Sequence, residues 1–122
     1  MARYDKYEPL TGGFRAPLAA DWLAADLNEV FAVGLNANGE VVKGSGNTGV
    51  IGVLVLTKVL AAGKVVDVMQ DGEIVEMDVN HAGIIAGTRY YGSAAGALTT
   101  VNTDVPLGWT VEATRLVVRM GR

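Results

Sequence analysis

Two dipeptides restrict most sharply what this chain can fold into. Asn38-Gly39 stands between the apolar runs of VFAVGLNANGEVVKG, and Asp71-Gly72 between those of KVVDVMQDGEIVEMDV. A two-residue type I′ turn needs positive φ at both central positions, which Asn, Asp and Gly tolerate, so each dipeptide within alternating flanks reads as a β-hairpin. In the first hairpin, pairing Ala37 with Glu40 sets Leu35 opposite Val42 and gathers Phe31, Val33, Leu35 and Val42 on a core face. In the second, the same rule sets Val68 opposite Val75 and Val66 opposite Met77 on a core face. Its other face then places Asp67 directly opposite Glu76, with Asp78 alongside. The segment TVEATRLVVRMGR alternates in the same way, with Leu116, Val118 and Met120 on one side and Arg115, Val117 and Arg119 on the other, and reads as a closing strand.

Turn residues recur along the rest of the chain, which holds 16 glycines and is rich in Val and Thr. The expected fold is therefore all-β, a small β-barrel or β-sandwich built from hairpins, over residues 28–122. A chain of 122 residues suits one such domain. Residues 1–27 differ in kind: Tyr4, Tyr7, Phe14 and Trp22 sit among Pro9, Pro17 and Gly12-Gly13 without strand alternation, and read as an extended N-terminal arm. Within it, PLAADWLAADL could form one short helix, with Pro17 at its first position and Leu18, Trp22 and Ala25 on one side.

The most enzyme-like string is GSGNTG, Gly44 to Gly49, which has the G-x-G-x-x-G spacing of dinucleotide-binding loops. That spacing binds phosphate when it follows a strand and opens a helix whose N-terminus receives the anion. Here the following VIGVLVLT is β-branched and should be a strand, so the string is expected to be a compact link between strands. Metal and hydrolase chemistry find no better support. There is no cysteine, His81 is the single histidine, Asp71, Glu73, Glu76 and Asp78 lack calcium-loop spacing, and neither Ser45 nor Ser93 lies in a G-x-S-x-G elbow. No enzymatic activity, metal or cofactor is expected. A net charge of -3 and a pI near 5.0 argue against a nucleic-acid partner, whose phosphates would call for Lys and Arg. The longest apolar runs are far shorter than the roughly 20 residues of a membrane helix, and the N-terminus lacks the apolar stretch of a signal peptide, so no membrane partner is expected.

Two features point to protein partners. Asp67, Glu76 and Asp78 on one hairpin face repel one another, which a basic patch on another subunit or a neighbouring Lys58, Arg115 or Arg119 would relieve. The arm concentrates large aromatics that a free terminus usually avoids. Tyr4, Tyr7, Phe14 and Trp22 are candidate anchors on a neighbouring surface, with Arg3 and Arg15 as polar contacts, unless the arm folds back on its own body.

Taken in order, RYDKYEPLTGGFRAPLAADW, VGLNANGEVVKGSGNTGVIGVLVLTK, AAGKVVDVMQDGEIVEMD, AGTRYYGSAAGALT and GWTVEATRLVVRM resemble the capsid decoration proteins of tailed bacteriophages, those of actinobacteriophages in particular. The resemblance covers most of the chain and rests on overall pattern. It implies a structural protein, made in the host cytoplasm, that binds the major capsid protein on the outside of the expanded virion shell. It further implies a homotrimer at threefold or quasi-threefold positions that reinforces the shell against DNA pressure. Other readings are a head-fibre or tail component, or a small carbohydrate-binding β module in which Trp22, Tyr90, Tyr91 and Trp109 stack on sugars.

Overall fold

The computed structural model describes residues 12–75 and 84–120. Arg3, Tyr4, Tyr7, Glu76, Met77, Asp78 and His81 lie outside the described residues. The described chain forms β1 (Gly13–Pro17), β2 (Phe31–Leu35), β3 (Val41–Lys43), β4 (Gly52–Leu54), β5 (Val65–Met69), β6 (Asp71–Ile74), β7 (Arg89–Gly92), β8 (Leu98–Thr99), β9 (Val105–Thr110) and β10 (Leu116–Arg119). They make two five-stranded antiparallel sheets, ordered β1-β5-β4-β2-β3 and β6-β10-β9-β7-β8. The architecture is a β-sandwich, one of the two expected all-β forms. The first sheet curls strongly: just past β1, Leu18 bridges in parallel to Val41 of β3, and the Ala19 N–H donates to the Val41 carbonyl at 3.0 Å.

That curl gives the first sheet two buried faces. One face packs on the second sheet, where Ala32 and Val53 meet Tyr90, Leu107, Leu116 and Val118. The other lines the inside of the curl, where Val33, Val41, Leu54, Val66 and Val68 enclose Leu18 and Trp22. Side chains alternate along a strand, so neighbours in β2 and β4 serve opposite cores. Each fully buried Val or Leu contributes roughly 1.5–3 kcal/mol. In β10, Leu116 and Val118 are fully buried and Met120 packs behind them, as the alternation requires, although the strand lies between β6 and β9.

The first hairpin exists, but its register differs by one residue from the expectation. Leu35 pairs with Val41 and Gly34 with Val42. The loop is the three-residue kind, a type I turn closed by a left-handed glycine: Gly39 has φ +74° and its N–H donates to the Asn36 carbonyl at 3.0 Å. The Asn36 side chain selects this form, since its Oδ1 accepts from the N–H groups of Asn38 at 2.9 Å and Glu40 at 3.0 Å. Val41 therefore takes the core position beside Leu35 that the two-residue register assigns to Val42.

The second expected hairpin does not form. β5 belongs to the first sheet and pairs with β1, while β6 belongs to the second and pairs with β10. The chain crosses between sheets at Gln70, where the N–H groups of Gln70 and Asp71 both donate to the Gly12 carbonyl, at 2.7 and 3.0 Å. Val66 and Val68 are buried as expected, but Val75 is 64% exposed. Asp67 faces Arg15 across the β1 pairing, and no described carboxylate lies opposite it.

Residues 12–27 are also built into the body. β1 is an edge strand of the first sheet, ending at Pro17 opposite Val65. The expected helix is replaced by extended chain and a 3₁₀ turn over Ala24–Asp26. Leu18 and Trp22 do share one buried side, but they reach it through bridges to Val41 and Leu60. GSGNTG joins β3 to β4 with no helix, as the residues after it require.

Candidate interaction surface

The outer face of the second sheet carries a transverse row set by strand register. Glu73 of β6 lies beside Val117 of β10, Val117 beside Trp109 of β9, and Trp109 beside Arg89 of β7. The Arg89 guanidinium sits 5.4 Å from the Trp109 ring centroid, within cation–π range. Tyr91 follows Arg89 by two residues in β7, past the irregularity between Tyr90 and Tyr91. Trp, Tyr and Arg are the residues that most often dominate protein–protein binding energy, because they combine large contact area with directed polar groups. Sequence reasoning considered Trp109 and Tyr91 only as sugar platforms and missed Arg89. The alternation in TRYYG offers the signal, but the irregular β7–β9 pairing had to be known before Arg89 could be placed beside Trp109.

One end of this face is held by charge. Arg115 donates to Glu73 at 2.9 Å and twice to Glu112, at 2.8 and 3.0 Å. The hydrogen bonds from Arg115 hold the Glu112 carboxyl below the usual carboxylate range, and Glu112 and Glu73 together raise the Arg115 pKa above its ordinary value. Arg119 spends its guanidinium on backbone, donating to the carbonyls of Val118 at 2.7 Å and Gly72 at 3.2 Å. The charges on this face are therefore fixed in position before any partner arrives, which lowers the ordering cost of binding.

The residues expected as contacts fall differently. Arg15 and Asp67 are exposed and form a 2.8 Å ion pair across β1 and β5, so Asp67 has a cationic partner within the chain, a residue that sequence reasoning assigned to the arm, while Glu76 and Asp78 lie outside the described residues. Phe14 is half-buried and packs against the core inside the curl. Trp22 is 3% exposed and stands edge-on to Phe31 at 5.3 Å, so in this fold it is a core residue and presents no surface to a partner. Its indole N–H has no acceptor among the described residues, and packing together with the Lys43 ammonium holds the ring. Lys43 closes the mouth of the curl: its Nζ lies 4.4 Å from the Phe31 centroid, 4.9 Å from that of Trp22, and 2.7 Å from Asp26 Oδ2. Beside it runs a shallow cleft of about 260 Å³ lined by Ala19, Ala20, Asp21, Trp22, Val41, Val42 and Lys43. Its lining is mostly small and apolar, and its two charged groups are engaged elsewhere, Asp21 accepting the Ala62 N–H at 2.8 Å and Lys43 pairing with Asp26.

The phosphate reading of GSGNTG meets three amides already bonded within the protein. The Gly44 N–H donates to Ala32 at 2.7 Å, Ser45 to Ala94 at 3.1 Å and Asn47 to Leu35 at 2.8 Å, so these amides are turned inward on the protein. Among the described residues no group of three His, Cys, Asp or Glu is placed to hold a metal ion, and no helix is long and apolar enough to cross a membrane. The sugar platform shrinks as well, because Trp22 and Tyr90 are buried, the latter with its hydroxyl accepting from the Ile85 N–H at 3.1 Å.

No protein-family model matches the chain, and no curated protein sequence matches it. Among solved structures, a chain from Mycobacterium phage Patience superposes with a TM-score of 0.77 and 22% identity, over 97% of this chain and 95% of that one. At that identity the likeness shows a shared fold.

Proposed function

We propose that this chain is a structural component of a tailed-phage virion, a decoration protein that binds the major capsid protein on the outer surface of the expanded shell and reinforces it against DNA pressure. The observation that carries the reading is the fold shared, nearly end to end, with a chain from Mycobacterium phage Patience. The sequence resemblance to actinobacteriophage decoration proteins supports the same reading. In this role the protein acts by binding alone, as a homotrimer at threefold or quasi-threefold positions. Modest contacts repeated over a shell add up by multivalency. Arg3, Tyr4 and Tyr7 are the proposed contacts of the N-terminal segment, with Glu76 and Asp78 as acidic contacts. The pre-ordered face around Trp109, Tyr91 and Arg89 is a second contact surface.

Co-sedimentation of the purified protein with expanded and unexpanded shells tests this. Saturable binding to expanded shells at a fixed stoichiometry is expected, and absence of binding to either form overturns it. Labelling that places the protein on tails or head fibres instead would favour a different virion role. The half-buried Trp109 and Tyr91 on the outer face keep a glycan-binding module as a second reading, which glycan binding without capsids would favour.

A further inference from the structure

β3 and the chain that follows β1 begin as a parallel ladder and then part. Leu18 bridges Val41, and the Ala19 N–H donates to the Val41 carbonyl at 3.0 Å. By Trp22 the chain has left β3 and pairs with Leu60 instead, Trp22 N–H donating at 2.8 Å and Leu60 N–H donating back at 3.3 Å. The opening between them is the cleft of about 260 Å³ beside Lys43. Its walls carry backbone groups whose direction follows from the β2–β3 register. The Gly44 N–H donates to Ala32 and the Asn36 N–H to Glu40, so by alternation Val42 turns its N–H and C=O toward β2, while Val41 and Lys43 turn theirs away. Val41 gives its carbonyl to Ala19, but the Lys43 N–H and C=O point toward the cleft and have no partner among the described residues. On the facing wall, the backbone groups of Ala20 and Asp21 make no hydrogen bond among the described residues either.

We propose that this opening receives an extended peptide segment of another protein, with an apolar side chain seated between Ala20 and Val42 and carboxylates on the residues around it. Open backbone donors and acceptors on both walls are matched by a strand, which carries the same groups in alternation. At about 260 Å³ the cleft is smaller than the roughly 300–1,000 Å³ of small-molecule pockets, so it suits a side chain and not a whole ligand. That side chain is apolar, because Ala19, Ala20, Val41 and Val42 line the space and the carboxylate of Asp21 and the ammonium of Lys43 are already engaged. The apolar surface continues past the cleft. The Trp22↔Leu60 bridge sets Leu23 opposite Val59, and these side chains are 57% and 55% exposed. Lys58 and Lys64 bracket the segment that carries Val59, are exposed, and hold no ion pair among the described residues. Unpaired cations beside an apolar seat favour an occupant with acidic neighbours. An anionic membrane would meet the same lysines but would leave the backbone groups of Lys43, Ala20 and Asp21 unused. This proposal does not depend on the capsid reading.

Two measurements on the full-length protein test it. In the free protein the Lys43 amide should exchange with solvent at least about tenfold faster than the Val42 amide, which faces β2. A Lys43 amide as protected as that of Val42 shows the opening already filled and overturns the proposal. Selection from ribosome-displayed random peptides of about twelve residues should enrich sequences with Val, Leu or Ile beside Asp or Glu. A synthetic copy of the enriched peptide should slow Lys43 amide exchange severalfold. Its affinity should fall at least about tenfold on Ala20→Trp, which fills the cleft, and about 1.5- to 5-fold on Lys58→Gln or Lys64→Gln. If Ala20→Trp lowers the urea midpoint, Ala20→Glu replaces it, setting a repelling carboxylate on the wall. No enrichment, an enriched set without acidic residues, or binding indifferent to the Ala20 variant overturns the proposal. So does binding to vesicles of phosphatidylserine and phosphatidylcholine that is lost in Lys58→Gln when no peptide is enriched, which assigns the lysines to a membrane surface.

Discussion

Replacing Gly44 by alanine, next to the same change at Gly49, separates backbone conformation from close packing within one short string. Both glycines are left-handed, with φ of +84° and +78°. Alanine in that region costs about 1–2 kcal/mol wherever it is placed. A Cβ on Gly49 would meet nothing within 4 Å, so this is the whole expected cost there. A Cβ on Gly44 would lie 2.0 Å from the carbonyl oxygen of Ala94, in the loop between β7 and β8. That oxygen belongs to backbone and accepts the Ser45 N–H, so relief requires the β3–β4 link to move off the second sheet. Overpacking of this kind costs about 1–3 kcal/mol and the strained hydrogen bond about another 1 kcal/mol. Gly44→Ala should therefore lose about 3–6 kcal/mol, a large part of the roughly 5–15 kcal/mol stability of a typical domain. With a urea m-value of about 2 kcal/mol/M, the unfolding midpoint falls by about 1.5–3 M for Gly44→Ala and by about 0.5–1 M for Gly49→Ala. Equal shifts, measured by tryptophan fluorescence, would refute the claim that Gly44 is required by contact between the sheets.

Trp22→Ala should cost about 3–5 kcal/mol, because the ring fills the curl of the first sheet; a variant that keeps its urea midpoint but loses partner binding would return Trp22 to the role of a surface anchor. Thr110→Val should destabilise by about 1–3 kcal/mol, since Oγ1 is buried, donates to the Ile85 carbonyl at 2.6 Å and accepts the Thr88 N–H at 3.1 Å; thermal melts check it. The lowered Glu112 pKa predicts a stabilising contribution that is full above the ordinary carboxylate range and is lost as pH falls through the lowered value. The stability difference between the native chain and Arg115→Gln should accordingly be greatest near neutral pH and shrink in acid, as urea titrations at several pH values would show.

The strands and their inward residues were largely legible in the sequence, because alternation is a local property. Val33, Val66, Val68, Leu116 and Val118 are core residues both by pattern and in the fold. What the sequence hid was which strand pairs with which. Asn38-Gly39 and Asp71-Gly72 carry the same turn chemistry, yet one closes a hairpin and the other follows a crossing between sheets, decided by Gly12 and β10, both distant in sequence. The one-residue register difference in the first hairpin came from Asn36, whose side chain favours the longer loop. Trp22 looked like an exposed anchor because its neighbours lack periodicity. Its burial depends on bridges to Val41 and Leu60 that no local window contains. On the candidate surface, the Arg15–Asp67 pair and the Arg89–Trp109 stack are both products of pairing between strands far apart along the chain.

The doubly buried position of β4 also bears on how safely the chain reaches its fold. Residues 50–56, VIGVLVL, carry no charge and no proline, and serve one core or the other along their length. Such windows are prone to cross-β self-association when exposed. In an ordinary two-faced strand, polar residues on the solvent side act as gatekeepers; here that side faces the inside of the curl and cannot carry them. The protection must come from assembly of the body itself. During synthesis β2 emerges first and can cover one edge of β4, whereas the second sheet that covers one of its faces is completed only when β10 leaves the ribosome. A chain truncated before Leu116 should therefore be far more aggregation-prone than its small loss of length implies.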